Sequence, residues 1–412
     1  MKEILLLLVM FWNLENFFDP FENGPYTPTG EKFWTWKKFA KKRDDIARTI
    51  CLAAEENGIF PAIIGLCEVE NRFVLNQLSQ NTNLAKLNYG IIHKDSPDRR
   101  GIDAALLYRK ELFTPLRVRF IPTIVDRATT VQNSANEQSS AKRHSPVAQA
   151  RETLPARETL PASDTLPVQD TLPSRETVYV KGVFMGLDTL HCFVVHWPSK
   201  LGGRESLQNR MAASDCLKKI TDSILCADSR ANIIVMGDFN DSPDSEPVEN
   251  LDNLVNMSTM QQQYARNAMR RQVRLAQWPA PRLAPHKWCT YKYKGEWSRI
   301  DHFLVSPWMY TGDGGSMDAG KEERQVGRQE KPEEIQAEML QPEEIQAEML
   351  QPQLRWLFCD SRSSGVFSHR FLLEVDEVYL GYKIRRTLVG PRYNGGVSDH
   401  LPVILRVWGY EY

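Results

Sequence analysis

The chain has 412 residues, with 51 Lys and Arg against 52 Asp and Glu, so its formal net charge is −1. Hydrophobic residues make up 42% and charged residues 25% of the sequence, a globular balance that argues against wholesale disorder and against a membrane bundle. Because the net charge is almost zero, the chain lacks the net basic field expected of a protein that wraps duplex DNA.

The N-terminal run from Ile4 to Trp12 contains nine apolar residues. It is too short to cross a bilayer, and no small-residue cleavage site of a signal peptide follows it. We therefore interpret this run as a buried β-strand that ends at the polar Asn13. The seven cysteines are odd in number and form no close pair, which favours free thiols in a reducing compartment. These features predict a cytoplasmic protein without a transmembrane segment.

Two segments, at about 127–177 and 311–353, are repetitive. The first contains a six-residue repeat from Arg151 onward, whose regularly spaced prolines prevent a continuous helix and ordinary strand pairing. The second contains a ten-residue repeat that begins at Lys331 and again at Gln341, with proline placed to start a short helix. We predict that both are flexible low-complexity insertions into one domain that spans residues 1–412. The two insertions either have no catalytic role or dock another protein.

The remaining sequence contains strand-like and helix-like segments in a mixed order. Continuous apolar runs are typical of strands that are buried on both faces, and apolar residues at three- and four-residue spacing are typical of helices. The mixed order predicts α/β layers around two packed sheets. The predicted strands are Leu5–Phe11, Ala62–Leu66, Ala104–Tyr108, Val178–Phe184, Leu190–Val195, Asn232–Met236, Phe303–Val305 and Val403–Val407, and the predicted helices are Trp36–Glu56 and Glu205–Ala227.

Polar residues recur at the ends of these strands, where loops from several strands converge. They are Asn13, Glu68, His196, Asp238, Asn240, Asp301, Asp399 and His400. Carboxylate and amide oxygens suit a hard cation such as Mg²⁺ or Mn²⁺, while histidines suit proton transfer or a growing phosphate charge. The sequence has no phosphate-binding Gly-Lys-Ser/Thr loop, no Gly-x-Ser-x-Gly elbow and no His-Glu-x-x-His helix. The set therefore predicts metal-assisted attack of water on a phosphoester.

Five sequence blocks resemble the signature motifs of the endonuclease/exonuclease/phosphatase superfamily, in the order that the family has them. They are Phe11–Asn16, Leu66–Asn71, Val235–Asp241, Arg299–Phe303 and Val397–Val403. The resemblance covers essentially the whole chain outside the insertions. It implies a four-layer α/β/β/α sandwich of two packed mixed sheets, as in pancreatic deoxyribonuclease. It also implies an enzyme that depends on Mg²⁺, with Mn²⁺ as a substitute. The family's Mg²⁺-dependent members are nucleases, abasic-site endonucleases, inositol-phosphate phosphatases and sphingomyelinases.

The resemblance also implies a role for each matching residue. Asn13 and Glu68 match the metal-site pair, with Glu68 as the chief ligand. Asp399 lies near the same metal. Asp238 matches the carboxylate that orients or deprotonates the attacking water, and Asn240 matches the amide that holds the phosphate or that water.

The two histidines complete the implied catalytic set. His400 would contact the scissile phosphate, and Asp301 would position His400 and select its tautomer. His196 is the candidate proton donor to the leaving oxygen. A carboxylate supports this histidine in some members, and Asp103 matches that position loosely.

Further residues have two interpretations each. Arg100 is either a phosphate clamp or part of a solvated turn. Trp197 is a candidate for lining the substrate cleft, although the Gly202–Gly203 pair of the same stretch also fits an ordinary turn. Trp297 either stacks on a substrate base or ring or packs in the core. The basic stretch Lys37–Arg43 is interpreted as a solvated helix face rather than a nucleic-acid contact.

Two classes of function compete. The first is a metal-dependent phosphoesterase, with a nucleic acid, a small phosphoester or a lipid headgroup as the substrate. The second is a catalytically idle scaffold on the same fold, which the two insertions suggest. An idle copy is expected to have lost at least one key site residue, and none is missing here. The sequence leaves the oligomeric state open.

Overall fold

The computed structural model describes residues 4–21, 34–98, 100–125, 170–171, 176–186, 188–273, 285–312, 357–390 and 392–410. Most of both repetitive segments lies outside these residues. The described exceptions are their edges at 176–177 and 311–312 and the short strand Asp170–Thr171, which pairs with Ile124–Val125. The flexibility of the insertions and the single-domain organisation therefore stay predictions. In the described part of the chain, no helix combines the length and the apolar character that crossing a membrane requires.

The secondary structure follows the predicted mixed order. The first strands are β1 (Ile4–Phe17), β2 (Ile63–Val69), β3 (Tyr89–His93), β4 (Asp103–Arg109), β5 (Phe113–Ile121), β6 (Ile124–Val125), β7 (Asp170–Thr171), β8 (Thr177–Phe184), β9 (Asp188–His196) and β10 (Asn232–Asp238). The later strands are β11 (Val255–Asn256), β12 (Tyr291–Tyr293), β13 (Glu296–Ser298), β14 (Asp301–Val305), β15 (Leu357–Phe358), β16 (Ser364–Val366), β17 (Leu373–Val375), β18 (Tyr382–Ile384), β19 (Leu388–Val389), β20 (Arg392–Tyr393) and β21 (Val403–Tyr410). The α-helices are α1 (Trp36–Asn57), α2 (Arg72–Gln80), α3 (Gly203–Ala227), α4 (Glu246–Glu249) and α5 (Met257–Val273).

Two mixed sheets form the centre of the molecule. In the first sheet the strand order is β15-β21-β1-β2-β4-β3, and β16 also pairs with β21. In the second sheet the order is β11-β14-β10-β9-β8-β5. Each sheet contains one parallel pair, β1 with β2 and β9 with β10, and the other ladders are antiparallel. Strands of a parallel pair end at the same edge, so each sheet brings two strand ends together.

The residues of β1 show how the layers are built. Alternate side chains point to opposite faces of a strand. Val9 and Phe11 lie in the buried core between the two sheets, whereas Leu8 and Met10 lie in the core between the first sheet and α1. A third core covers the outer face of the second sheet, where Leu217 of α3 packs. The predicted four-layer α/β/β/α sandwich is confirmed.

Three of the longer predicted elements agree with the structure. The apolar N-terminal run is the strand β1, buried on both faces, which explains why it lacks polar alternation. Helix α1 begins where Thr35 caps the amide of Lys38, and it ends before Gly58, which has a left-handed φ of 72°. Helix α3 matches the second predicted helix.

Some elements were not predicted from the sequence. Strand β5 lies at the edge of the second sheet, and charged Arg117 and Arg119 interrupt its apolar residues. Its pattern is therefore weaker than that of a buried strand. Helices α2 and α5 were also not predicted.

Gly237 is required by the parallel pairing of β9 and β10. A Cβ atom at this position would lie 2.3 Å from the backbone oxygen of Val195. We expect Gly237→Ala to lower the free energy of unfolding by about 1–3 kcal/mol, because backbone cannot move aside as a flexible side chain can. Denaturant unfolding measures this change. Gly365→Ala is the control, since the nearest atom to its added Cβ lies 4.0 Å away; equal losses in both variants would contradict the explanation.

His302 is a buried histidine on β14 that connects the β10–α4 loop to the first turn of α5. Its Nε2 atom donates to the carbonyl of Asp241 at 2.8 Å, and its Nδ1 atom lies 3.0 Å from the hydroxyl of Ser258. This tautomer is neutral. Burial lowers the pKa of His302 from 6.5 to about 4, because the charged ring would lose its hydration.

This shift predicts a loss of stability in acid. As the pH falls from 6.5 towards 4, the unfolded chain binds a proton at His302 that the folded chain does not bind. The neutral His302 ring therefore contributes fully to the free energy of unfolding above pH 6.5. This contribution decreases by about 3 kcal/mol as the pH approaches 4. Denaturant unfolding of the wild type and His302→Gln at pH 7 and pH 4.5 isolates it. Parallel pH profiles of the two proteins would show the prediction to be wrong.

Candidate active site

Three of the predicted site residues form one row across the second sheet. His196 of β9 and Asp301 of β14 are the register partners of Asp238 on β10. Partners in neighbouring strands direct their side chains to the same face of a sheet. The residues two positions before His196 and Asp238, which are Val194 and Met236, belong to the core between the sheets. The row is therefore the polar end of that core.

Asn13 joins this row from the first sheet. It follows Phe11 on the inward face of β1, and its Nδ2 atom donates to Asp238 Oδ2 at 3.0 Å. Its Oδ1 atom accepts from the amide of Glu15 at 3.0 Å. Asn13 and Asp238 are both buried, so this hydrogen bond is shielded from water.

His400 is held against Asp301 by contacts on several sides. Its Nδ1 atom lies 2.9 Å from Asp301 Oδ2, and its carbonyl accepts from the indole Nε1 of Trp12 at 2.9 Å. The hydroxyl of Ser398 accepts from the His400 amide and donates to the carbonyl of Asn13. These contacts direct Nε2 of His400 towards Asp238 Oδ2, 3.9 Å away.

Glu68 reaches the site through a β-bulge. Ile64 and Leu66 face the helices, so regular alternation would direct Glu68 outward as well. The register shifts between Cys67 and Val69, and Glu68 has a left-handed φ of 60°. Its Oε1 atom consequently lies 3.7 Å from Nε2 of His196.

Left-handed backbone recurs around the site. Besides Glu68, the non-glycine residues Glu15, Asn16 and Asn240 have φ values of 47°, 56° and 51°. The amide of Asn16 donates to Glu68 Oε2 at 2.9 Å, and that of Asn240 donates to Asp238 Oδ1 at 2.8 Å. Such conformations carry strain and often occur at functional sites. Here they direct amides at the two carboxylates.

The pKa values of Asp238 and His400 give the site one group that can act as a base and one that can act as an acid. Burial raises the pKa of Asp238 to about 7, although the nearby His400 and two hydrogen bonds oppose the rise. Burial alone would lower the pKa of His400, but the carboxylates of Asp301 and Asp238 outweigh it and raise that pKa well above 6.5. A carboxyl that titrates near neutrality therefore lies beside a histidine that stays protonated, which suits general acid–base chemistry.

Comparison with known proteins identifies the family of this chain. A model of the Endonuclease/Exonuclease/phosphatase family matches residues 8–135 and 157–322, which is more than half of the chain. The chain belongs to the endonuclease/exonuclease/phosphatase family. Enzymes of this family are in general phosphoester hydrolases that use divalent metals. A search of curated proteins finds no match.

Solved structures that match the chain do so at low sequence identity. A humanized Danio rerio TDP2 is 12% identical, with 98% of each chain covered and a TM-score of 0.43. A mannosyl-6-phosphatase from Bacteroides thetaiotaomicron is 13% identical, with 98% of this chain and 100% of that chain covered and a TM-score of 0.45. TDP2 from Caenorhabditis elegans is 12% identical, with 98% of this chain and 75% of that chain covered and a TM-score of 0.44.

The donor atoms fit the divalent metal that the family uses. Asp238, Asp301 and His400 offer ligand atoms within 4.8 Å of one another. Asp301 is hydrogen-bonded to His400. The predicted ligands Glu68 and Asp399 lie beside the same residues, with oxygens 3.7 Å from His196 Nε2 and 3.9 Å from His400 Nε2. Their carboxylates are only partly buried, and Mg²⁺ prefers one or two carboxylates together with water.

Three neighbouring charged groups were not predicted as part of the site. Arg386 Nη2 lies 2.6 Å from Asp399 Oδ2, and its Nε atom lies 3.4 Å from Glu15 Oε1. Lys42 was expected on the solvated face of the basic stretch Lys37–Arg43, and that expectation is wrong. It is buried, and its Nζ atom donates to the carbonyl of Glu15 and to the hydroxyl of Thr387.

The candidates for substrate contact divide into two groups. Arg100 is partly exposed, and its guanidinium lies 4.0 Å from Glu68 Oε1, at the site. Asp103 faces away from it. Its neighbours Ala105 and Leu107 belong to the helix side of the first sheet, and its carboxylate contacts His93 at 3.0 Å and the amide of Ser96 at 2.9 Å. The expected support of His196 by Asp103 is therefore corrected.

The two tryptophans also contact other groups. Trp197 is buried in the outer core, because it follows the inward-facing His196 and so points the opposite way. Its ring lies 4.7 Å from that of Phe239, while its carbonyl accepts from Asn240 Nδ2. It therefore positions Asn240 instead of lining the cleft. Trp297 is half-buried, with the ammonium of Lys292 5.6 Å from its ring centre.

Asp301→Asn is expected to lower the pKa of His400, because the amide removes the negative charge that stabilises the protonated ring. Histidine ring resonances in a pH titration with chelator present report this pKa, and His400→Gln identifies the signal. The control is Asp244→Asn, which removes an exposed carboxylate from the β10–α4 loop. An unchanged His400 titration in Asp301→Asn would contradict the electrostatic assignment.

Proposed function

We propose that the protein is a Mg²⁺-dependent phosphoester hydrolase in which water attacks the phosphorus atom. The observation that carries this proposal is the pairing of two buried groups, a carboxyl of Asp238 whose pKa lies near neutrality and a His400 ring that stays protonated. They lie 3.9 Å apart at the polar end of the core between the sheets. A purely structural pair would not require both the strained backbone and the donated amides described above.

Asp238 is assigned to the attacking water. Its pKa near 7 lets it accept a proton at neutral pH, and Asn13 and the Asn240 amide hold its two oxygens in place. His400, protonated and aligned by Asp301, donates a hydrogen bond to a non-bridging phosphate oxygen as negative charge develops there.

The remaining residues hold the metal and the leaving group. Glu68 and Asp399 would hold Mg²⁺, with Asn13 beside them, and the bound cation would neutralise phosphate charge. His196 lies 3.7 Å from both Glu68 and Asp238, where it is placed to donate a proton to the leaving oxygen. The Asn240 side chain, held by the Trp197 carbonyl, borders the same space.

The competing proposal is an idle scaffold on the same fold. Its motivation is the presence of the two repetitive insertions. The completeness of the candidate site argues against it, since a scaffold has no need for a buried carboxylate with a raised pKa. Hydrolysis by the purified protein distinguishes the two proposals.

Glu68→Gln is expected to reduce metal-dependent hydrolysis about 100-fold or more, because the amide cannot replace the charge of a metal-binding carboxylate. The assay uses a supercoiled plasmid, a single-stranded oligonucleotide and a panel of phosphomonoesters, with Mg²⁺ or Mn²⁺ and with or without chelator. Plasmid nicking would indicate a nuclease, and release of inorganic phosphate alone would indicate a phosphatase.

Glu70→Gln is the matched control for this experiment. Glu70 lies two residues away, but its carboxylate accepts from the amide of Asp19, which Gln can also do. The control variant should keep the wild-type rate. Equal rates for Glu68→Gln and the wild type would reject Glu68 as a ligand, and a wild type without chelator-sensitive hydrolysis would reject the proposed function.

A further inference from the structure

Arg386 occupies a fixed place beside the predicted metal ligands. It lies in the turn between β18 and β19, where its Nη2 atom is 2.6 Å from Asp399 Oδ2 and its Nε atom is 3.4 Å from Glu15 Oε1. The amide of the next residue, Thr387, donates to Glu15 Oε2 at 2.6 Å. The turn is therefore attached to the end of β1 through both backbone and side chain.

The buried side chain of Lys42 holds this turn in place. The Nζ atom of Lys42 lies 2.6 Å from the carbonyl oxygen of Glu15 and 2.8 Å from the Thr387 hydroxyl. That hydroxyl donates to the carbonyl of Val397 at 2.8 Å. The ammonium group of Lys42 on α1 thus joins two chain segments, and the Thr387 hydroxyl connects them to a third, which limits the freedom of the Arg386 backbone.

The guanidinium is the solvent-facing member of its cluster. The Arg386 side chain is 38% exposed, against 14% for Asp399 and 6% for Glu15. Arg100 repeats this arrangement beside Glu68, with exposed fractions of 41% and 13% for the two side chains. A phosphate that approaches the buried carboxylates would therefore meet a guanidinium beside each predicted metal ligand.

The charge of the ester decides how many of these contacts are used. A terminal phosphomonoester has three non-bridging oxygens and almost two negative charges at neutral pH. An internal phosphodiester has two such oxygens and one charge. Guanidinium groups bind phosphate oxygens through directed, charge-assisted hydrogen bonds. A site with a divalent cation and two guanidinium groups can give each of three oxygens a cationic partner.

We infer that Arg386 contacts the substrate phosphate and makes the site prefer a terminal phosphomonoester over an internal phosphodiester. This inference rests on the proposed function, since it selects one substrate class for that site. Arg386 retains donors for this contact, because a guanidinium has five N–H groups and the contacts with Asp399 and Glu15 use its Nη2 and Nε atoms.

The test compares two esters with the same leaving group, p-nitrophenyl phosphate and bis(p-nitrophenyl) phosphate. The proteins are the wild type, Arg386→Gln and Arg386→Lys, together with Arg392→Gln, which removes an exposed charge from the neighbouring strand β20. We expect Arg386→Gln to lower kcat/KM for the monoester about 10- to 100-fold and for the diester by less than about 3-fold. Arg386→Lys should be intermediate, and Arg392→Gln should resemble the wild type.

A binding measurement gives a readout without turnover. Calorimetric titration with inorganic phosphate in the presence of Mg²⁺ should show a Kd about 10-fold higher for Arg386→Gln than for Arg392→Gln. Thermal unfolding of both variants controls for loss of fold.

The outcomes separate this inference from the proposed function. If Arg386→Gln lowers both hydrolysis rates equally and leaves phosphate binding unchanged, Arg386 acts only by positioning Asp399, and the inference is overturned. A wild type that prefers the diester also overturns it while the hydrolase stands. A wild type that hydrolyses neither ester nor any nucleic acid with metal present removes the proposed function itself.

Discussion

The hydrogen bond between Asn13 and Asp238 connects the two sheets at the end where the candidate site lies. It is possible because both residues continue the inward face of their strands beyond the apolar core. The core between the sheets ends at Phe11 on one side and Met236 on the other, and the next inward positions are polar. Close apposition of the sheets, set by apolar packing, thus brings a carboxylate and an amide into contact without a dedicated loop.

The same row of inward positions explains the protonation behaviour. Apolar residues beneath Asp238 withdraw its carboxylate from water, so its proton affinity rises. His400 remains charged in the same surroundings, because Asp301 and Asp238 face it from the neighbouring strands. Removing one partner of such a buried set leaves an uncompensated group, which is costlier than removing a surface ion pair.

The outer part of the site depends on a second set of charges. Lys42 is buried, and its pKa is lowered to about 8 by burial, although Glu15, Glu68 and Asp399 all oppose this effect. One ammonium group is therefore near three carboxylates that come from distant parts of the chain. Burial raises the pKa of Glu15 to about 7, and the charge of Asp399 adds to this rise. This set holds the turn that carries Arg386 and joins α1 to the site.

The sequence by itself determined the layers and most of the strand ends. Strands buried on both faces must be apolar throughout, so β1, β2, β9 and β10 were predictable, as was the amphipathic helix α3. Edge strand β5 was not, because its exposed face accepts charged residues. The position of polar residues immediately after apolar runs placed Asn13, His196 and Asp238 together, and the structure supports that placement geometrically.

Only the tertiary structure decided which neighbouring polar groups belong to the site. Because side chains alternate along a strand, Asp103 and Trp197 point away from the site. The core-facing residues of β4 and β9 show this orientation once the layers are known. The bulge turns Glu68 inward against that alternation. Lys42, in a basic stretch typical of a solvated helix face, is buried because its helix packs over the ends of β1 and the Arg386 turn. Local sequence cannot specify this, because the charges that stabilise Lys42 lie far from it along the chain.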